Sequence, residues 1–205
     1  MNEVTMETAQ TDTPSSQVRR FSLQNRNMIL RTILFGAIGA VLYVGISLIP
    51  MPFTMVGILK FGLLPGVAII AATGGIRGSF AGFIAGYFGV VLYGLVAYNV
   101  LVTMTLPAVA YGVLGLIAGL KRYDFESGRS LAKLSSLSVI GFLITGLLLF
   151  VIGITVEGYS MLAGIGFAIL PLLTTGIPTI LFLTPIFAKL YHVLKMRYMA
   201  PAKTD

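Results

Sequence analysis

The stretch Ser79-Phe80-Ala81-Gly82-Phe83-Ile84-Ala85-Gly86-Tyr87-Phe88-Gly89-Val90-Val91-Leu92-Tyr93-Gly94-Leu95 decides the fold. It carries no charged side chain and no proline. Nothing in it alternates apolar with polar residues as a half-buried strand would. With Gly78, the glycines at 82 and 86 recur every four residues, which places them on one face of a helix. A backbone in hydrocarbon must satisfy its own polar groups, and a helix does so within one segment. The stretch therefore reads as a membrane-spanning helix with a small-residue face. That face either packs helices inside a bundle or docks a partner in the bilayer.

The same composition extends outward. Of 205 residues, 57% are hydrophobic and 10% are charged. Soluble domains carry about 25% charged residues, so a water-exposed surface cannot be built from this chain. Turn punctuation divides the apolar sequence into six candidate spans: 28–49, 55–73, 79–95, 99–120, 131–155 and 161–191. Pro50-Met51-Pro52 closes the first and Gly74-Gly75-Ile76-Arg77-Gly78 the second. Pro65 and Pro107 are expected to interrupt the second and fourth, and Pro171, Pro178 and Pro185 line the sixth at intervals of seven. These breaks are either architectural or open room for a ligand near the helix ends. The expected architecture is all-α: one polytopic bundle of six transmembrane helices over 28–197. A polar, disordered cytoplasmic tail over 1–27 precedes it, and a short cytoplasmic tail over 198–205 follows.

Charge sets the orientation. The formal net charge of +7 comes from 14 basic and 7 acidic residues. Arg19, Arg20, Arg26 and Arg31 precede the first span; Lys121, Arg122, Arg129 and Lys133 share one loop; Lys189, Lys195 and Arg197 end the last span. Counting spans puts all of these on one side, the positive-inside pattern of an N-in, C-in protein of the cell membrane. The excess charge thus marks topology and not a nucleic-acid surface. No cleavage site follows the first apolar run, so it reads as an anchor and not as a signal peptide.

Catalytic constellations are scarce. The one histidine, His192, lies beyond the last span. Between residues 28 and 189 the acidic residues are Asp124, Glu126 and Glu157, all in expected loops, which leaves no intramembrane proton carriers. There is no phosphate-cradling GxxxxGK[ST] loop, no cysteine and no cluster with metal-ligand spacing. The chain reads as neither an enzyme, a pump nor a channel, and calls for no cofactor or metal.

Polar and aromatic groups gather instead at the expected outer side: Lys60, Tyr93, Tyr98, Asn99, Thr103, Glu157 and Tyr159. Each has a plain structural reading, since tyrosines form interfacial belts, lysine snorkels and Glu157 can face water. Together they offer a cation, an anion, an amide and stacking rings, the groups that a small polar ring-containing ligand needs around an apolar pocket. Lys60 suits an anionic substituent and Glu157 a cationic one.

With these features the sequence resembles a substrate-binding S component of an energy-coupling factor (ECF) vitamin transporter. The resemblance spans 28–197. It rests on Gly36-Ala37-Ile38-Gly39-Ala40 in the first span, Leu59-Lys60-Phe61-Gly62-Leu63-Leu64-Pro65-Gly66, the Gly/Ala-rich third span, and Tyr111-Gly112-Val113-Leu114-Gly115-Leu116-Ile117-Ala118-Gly119-Leu120. It implies high-affinity binding of a vitamin or related micronutrient on the outer side. It also implies association with a membrane coupling protein and two ATPase subunits, docked through Gly36, Ala37 and Ala40. The chain lacks the tryptophan that several members stack on their ligands. The competing readings are a structural or assembly membrane protein without a ligand, and an autonomous secondary carrier.

Overall fold

A computed structural model describes residues 26–49, 53–56 and 59–199, and the expected tails lie almost wholly outside them. Helix α1 covers Arg26–Ser47, and its final turn closes with Leu48 N–H donating to the Val44 carbonyl at 2.9 Å. Two short strands follow, β1 (Phe53–Val56) and β2 (Leu59–Gly62), paired antiparallel with Phe53 opposite Gly62 and Met55 opposite Lys60. Helix α2 is Pro65–Arg77, α3 Ser79–Tyr98, α4 Thr105–Ala118 and α5 Gly128–Thr155. A last rod is helical without a break from Met161: α6 (Met161–Gly164), π-helical turns at Ile165–Ile169 and Leu172–Gly176, then α7 (Ile177–Met199).

Among the described residues the secondary structure is thus six helical rods and one small hairpin. Four are long and apolar enough to cross a bilayer: Asn27–Ser47, Ser79–Tyr98, Gly128–Thr155 and Leu172–Arg197. Helices α2 and α4, with 13 and 14 residues, fall short of the roughly 20 that a full crossing takes. This corrects the expected second span, which was to begin at Met55. The paired strands occupy 53–56 and 59–62, and Pro65 does not interrupt a helix but starts one. At the first helical position its fixed φ is already suitable and its missing N–H is one that a helix start leaves unpaired anyway. Pro107 likewise lies in the first turn of α4 and not in mid-span.

Helix α2 is the central post. Every residue from Pro65 to Gly75 is buried, and it packs against α1, α3, α4 and α7. Its small side chains allow this. A methyl group added at Gly74 would strike the Gly115 carbonyl of α4, and one at Gly75 would meet Leu134 of α5 at 2.6 Å. Gly78 alone separates α2 from α3, at φ +109, a conformation that demands glycine. The α3 glycines then meet α4 backbone to backbone, Gly82 against Gly115 and Gly86 against Tyr111. Of the two uses open to this small-residue face, the fold adopts internal packing.

The π turns lie where Pro171 and Pro178 withhold backbone donors. Threonine hydroxyls supply bonds there: Thr174 to the Leu170 carbonyl (2.9 Å), Thr175 to that of Pro171 (2.7 Å), and Thr179 to that of Thr175 (2.6 Å). Thr179 also accepts from the Leu64 N–H at 3.0 Å, tying the segment after the hairpin to the last rod. A two-stranded hairpin is marginal by itself, and this one rests against the second π turn.

Candidate ligand site at the hairpin end of the bundle

The two ends of the bundle differ in chemistry. At one end Gly119 abuts the Gly78–Ser79 backbone, and His192 of α7 reaches Glu126 at 3.4 Å. The loop there holds Lys121 and Arg122, and α5 begins with Arg129 and Lys133 close behind. Burial pushes the phenol of Tyr123 in this loop up to about 12, and its hydroxyl donates to the Ala118 carbonyl at 2.9 Å. The other end is formed by the hairpin, the close of α1 and α3, the start of α4, and the turn between α5 and α6. Ser47 and Tyr43 flank Gly66 there, and Met104 packs on Gly94. Among the described residues at that end the acid is Glu157.

The site residues expected from sequence all fall at this end, in two groups. In the first, Tyr43 is buried against Gly66 and Gly89, and its ring meets Tyr93 edge-on at 6.2 Å. Tyr93 meets Tyr98 the same way at 5.7 Å. Ser47 lies beside Tyr43 over Gly66, and Tyr111 of α4 packs against the same buried cluster as Tyr43. Edge-to-face aromatic pairs are each worth about 0.5–1.5 kcal/mol beyond their buried area, so the rings form a preset wall. Asn99 ends α3 in the left-handed conformation (φ +57), its N–H on the Leu95 carbonyl and that of Val100 on Gly94 at 3.1 Å. Its side chain is exposed, as is that of Thr103 in the following turn.

In the second group, Glu157 and Tyr159 line a cavity of about 220 Å³ with Pro107, Leu149, Ile152, Gly153 and Gly164. Gly158 makes the turn at φ +69, and Tyr159 N–H donates to the Gly153 carbonyl at 2.9 Å. This fold-back brings the Tyr159 hydroxyl to Glu157. The hydrogen bond to that carboxylate, and then its charge, raise the Tyr159 phenol above its ordinary range. Lys60 sits in β2 opposite Met55, on the hairpin.

Two residues expected on a docking face are used internally. Gly36 lies against Ile84 and Ala81 of α3, where an added methyl would come within 2.7 Å of Ile84, and Ala40 is 1% exposed. Ala37 faces outward. Sequence reasoning overlooked Tyr43, Ser47 and Tyr111. A signal for the first two was available, since Gly36, Ala40, Tyr43 and Ser47 are spaced four, three and four apart, the period of one helix face. Among the described residues no group of three His, Cys, Asp or Glu side chains could hold a metal ion. Comparison with protein-family models, with curated proteins and with solved structures found no match.

Proposed function

We propose that this chain is a multi-pass protein of the cell membrane that binds a small ring-containing ligand at its hairpin end and borrows the energy for its uptake. In this reading all six rods traverse the bundle, with both termini and the basic end in the cytoplasm. The hairpin end faces out. The resemblance noted above suggests a vitamin or related micronutrient as ligand, and a membrane coupling protein with two ATPase subunits as partners. The observation that supports it most is the contrast between a polar, tyrosine-walled end and an interior where, among the described residues, the buried polar side chains are serine and threonine. Such an interior offers binding but no proton carriers, so catalysis and ion-driven transport are both disfavoured. With Gly36 and Ala40 buried, coupling through α1 would use its outer side, where Ala37 lies.

Protein purified in detergent should release a stoichiometric small molecule on denaturation, seen by mass spectrometry. Asn99→Ala should lower its affinity about 2- to 13-fold, the net worth of about 0.5–1.5 kcal/mol for one hydrogen bond at an exposed side chain. Protein that is repeatedly empty, and unmoved in melting temperature by a vitamin panel, would overturn the reading. Because the chain has no cysteine, single replacements report topology cleanly. Thr103→Cys should react with an impermeant thiol reagent on intact cells, and Arg129→Cys only after permeabilisation.

A further inference from the structure

The cavity between α4, α5 and α6 has its own chemistry, separate from the tyrosine wall. Its floor and sides are apolar: Pro107, Leu149, Ile152 and the bare backbone of Gly153 and Gly164. A methyl group at Gly153 would lie 3.0 Å from the Tyr159 ring, so glycine there lets the ring pack close against the end of α5. At its mouth stand one carboxylate, Glu157, and one aromatic ring, Tyr159, held beside it by the Gly158 fold-back and the Tyr159 N–H bond to the Gly153 carbonyl. The α4 side of the lining is proline, which has no N–H to offer an anion. The carbonyl end of α5 closes the same rim, and a helix C-terminus carries partial negative charge. A volume of about 220 Å³ corresponds to roughly seven waters and is smaller than the clefts that enclose whole drug-sized ligands.

We propose that this cavity binds a compact organic cation, a substituted ammonium group with its alkyl substituents in the apolar floor and its charge shared between Glu157 and the face of Tyr159. A carboxylate supplies charge, and a tyrosine ring attracts cations through its quadrupole. Apolar walls reward methyl groups over a bare hydrated ammonium. The same headgroup chemistry belongs to free amines and to choline lipids, and the location at one end of the bundle is open to both. The inference does not depend on uptake or on the ligand of the tyrosine wall.

The test uses full-length protein in a maltoside detergent, with ¹³C-labelled tyrosine and tetramethylammonium chloride as the titrant. The Tyr159 ring signal, assigned by its loss in Tyr159→Phe, should shift and saturate. The neutral isostere 3,3-dimethyl-1-butanol should leave it unmoved. Glu157→Gln should weaken the response at least about tenfold. Tyr159→Phe keeps the ring and should retain binding as read by calorimetry, whereas Tyr159→Leu should lose it. An equal response to the neutral isostere, or unchanged affinity in a folded Glu157→Gln, overturns the proposal. The wild-type isostere comparison stands even where a variant fails to fold. Repeating the titration in phosphatidylglycerol nanodiscs with and without phosphatidylcholine identifies the source. Competition by phosphatidylcholine assigns a lipid headgroup, and undiminished binding assigns a free amine. Because the readout is local to Tyr159, its failure is distinguishable from failure to recover a ligand from the tyrosine wall.

Discussion

Replacing Gly115 with alanine should destabilise the bundle even though alanine is the better helix former. Gly115 sits where α4 crosses α3, and an added Cβ would lie 2.8 Å from the Gly82 Cα and closer still to the Gly82 carbonyl. Carbon atoms rest at about 3.5–4.0 Å, so the two helices must part by about 1 Å. These neighbours are backbone and cannot rotate away. A gap of that size forfeits about a quarter to a half of each dispersion contact along the crossing. In lipid no hydrophobic term between helices compensates for it. Overpacking of this kind costs about 1–3 kcal/mol, against about 0.5–1 kcal/mol gained by removing a mid-helix glycine. The expected net loss is therefore about 1 kcal/mol, within a range of about 0–2.5 kcal/mol. Gly45 provides the control. It lies within α1 with nothing within 4 Å of an added methyl, so Gly45→Ala should be neutral or slightly stabilising. Thermal unfolding in detergent, followed by circular dichroism at equal protein and detergent concentrations, ranks the three proteins. If Gly115→Ala melts with the wild type or above it, the close crossing does not hold the bundle together and the reasoning fails.

Two other perturbations probe the ends. Thr179→Val removes the acceptor of the Leu64 N–H and the donor to the Thr175 carbonyl, and should cost about 1–3 kcal/mol. Hydrogen exchange should rise first at Leu64, and protection there equal to wild type would show that the tie is dispensable. At the basic end, the raised phenol of Tyr123 keeps its proton in the folded protein at a pH where the unfolded chain, with a pKa near 10, releases it. Its contribution to stability is therefore whole below about pH 10 and is lost as pH rises towards about 12. Tyr123→Phe should remove that component of the alkaline stability loss in circular dichroism melts, and an unchanged alkaline slope would count against burial of the group.

Much of this was legible beforehand, for reasons specific to the solvent. Hydrocarbon tolerates few charges and no unpaired backbone, so the uncharged runs of α1, α3 and α5 can be little other than helices. The same constraint sorts Lys121, Arg122 and Arg129 to one end and the tyrosines with Glu157 to the other. Less legible were 53–56 and 59–62, where paired strands stand in place of the start of a helix. An apolar run of that length fits strand or helix equally, and the choice depends on the π turn of the last rod packing beside it.

The sequence by itself determined a helical, charge-segregated chain, apolar enough to cross a membrane and with a polar end, because those properties follow from what each segment can bury. Only the tertiary structure decided which partner each face meets. Gly36 and Ala40 were open to a docking role until α3 filled the space beside them. Tyr43 became part of the aromatic wall through Gly66 and Tyr93, 23 and 50 positions away. The cavity of Glu157 exists because Pro107, Gly153 and Gly164, from three separate helices, converge there. Periodicity reports which side of a helix is buried; it carries no information about what buries it.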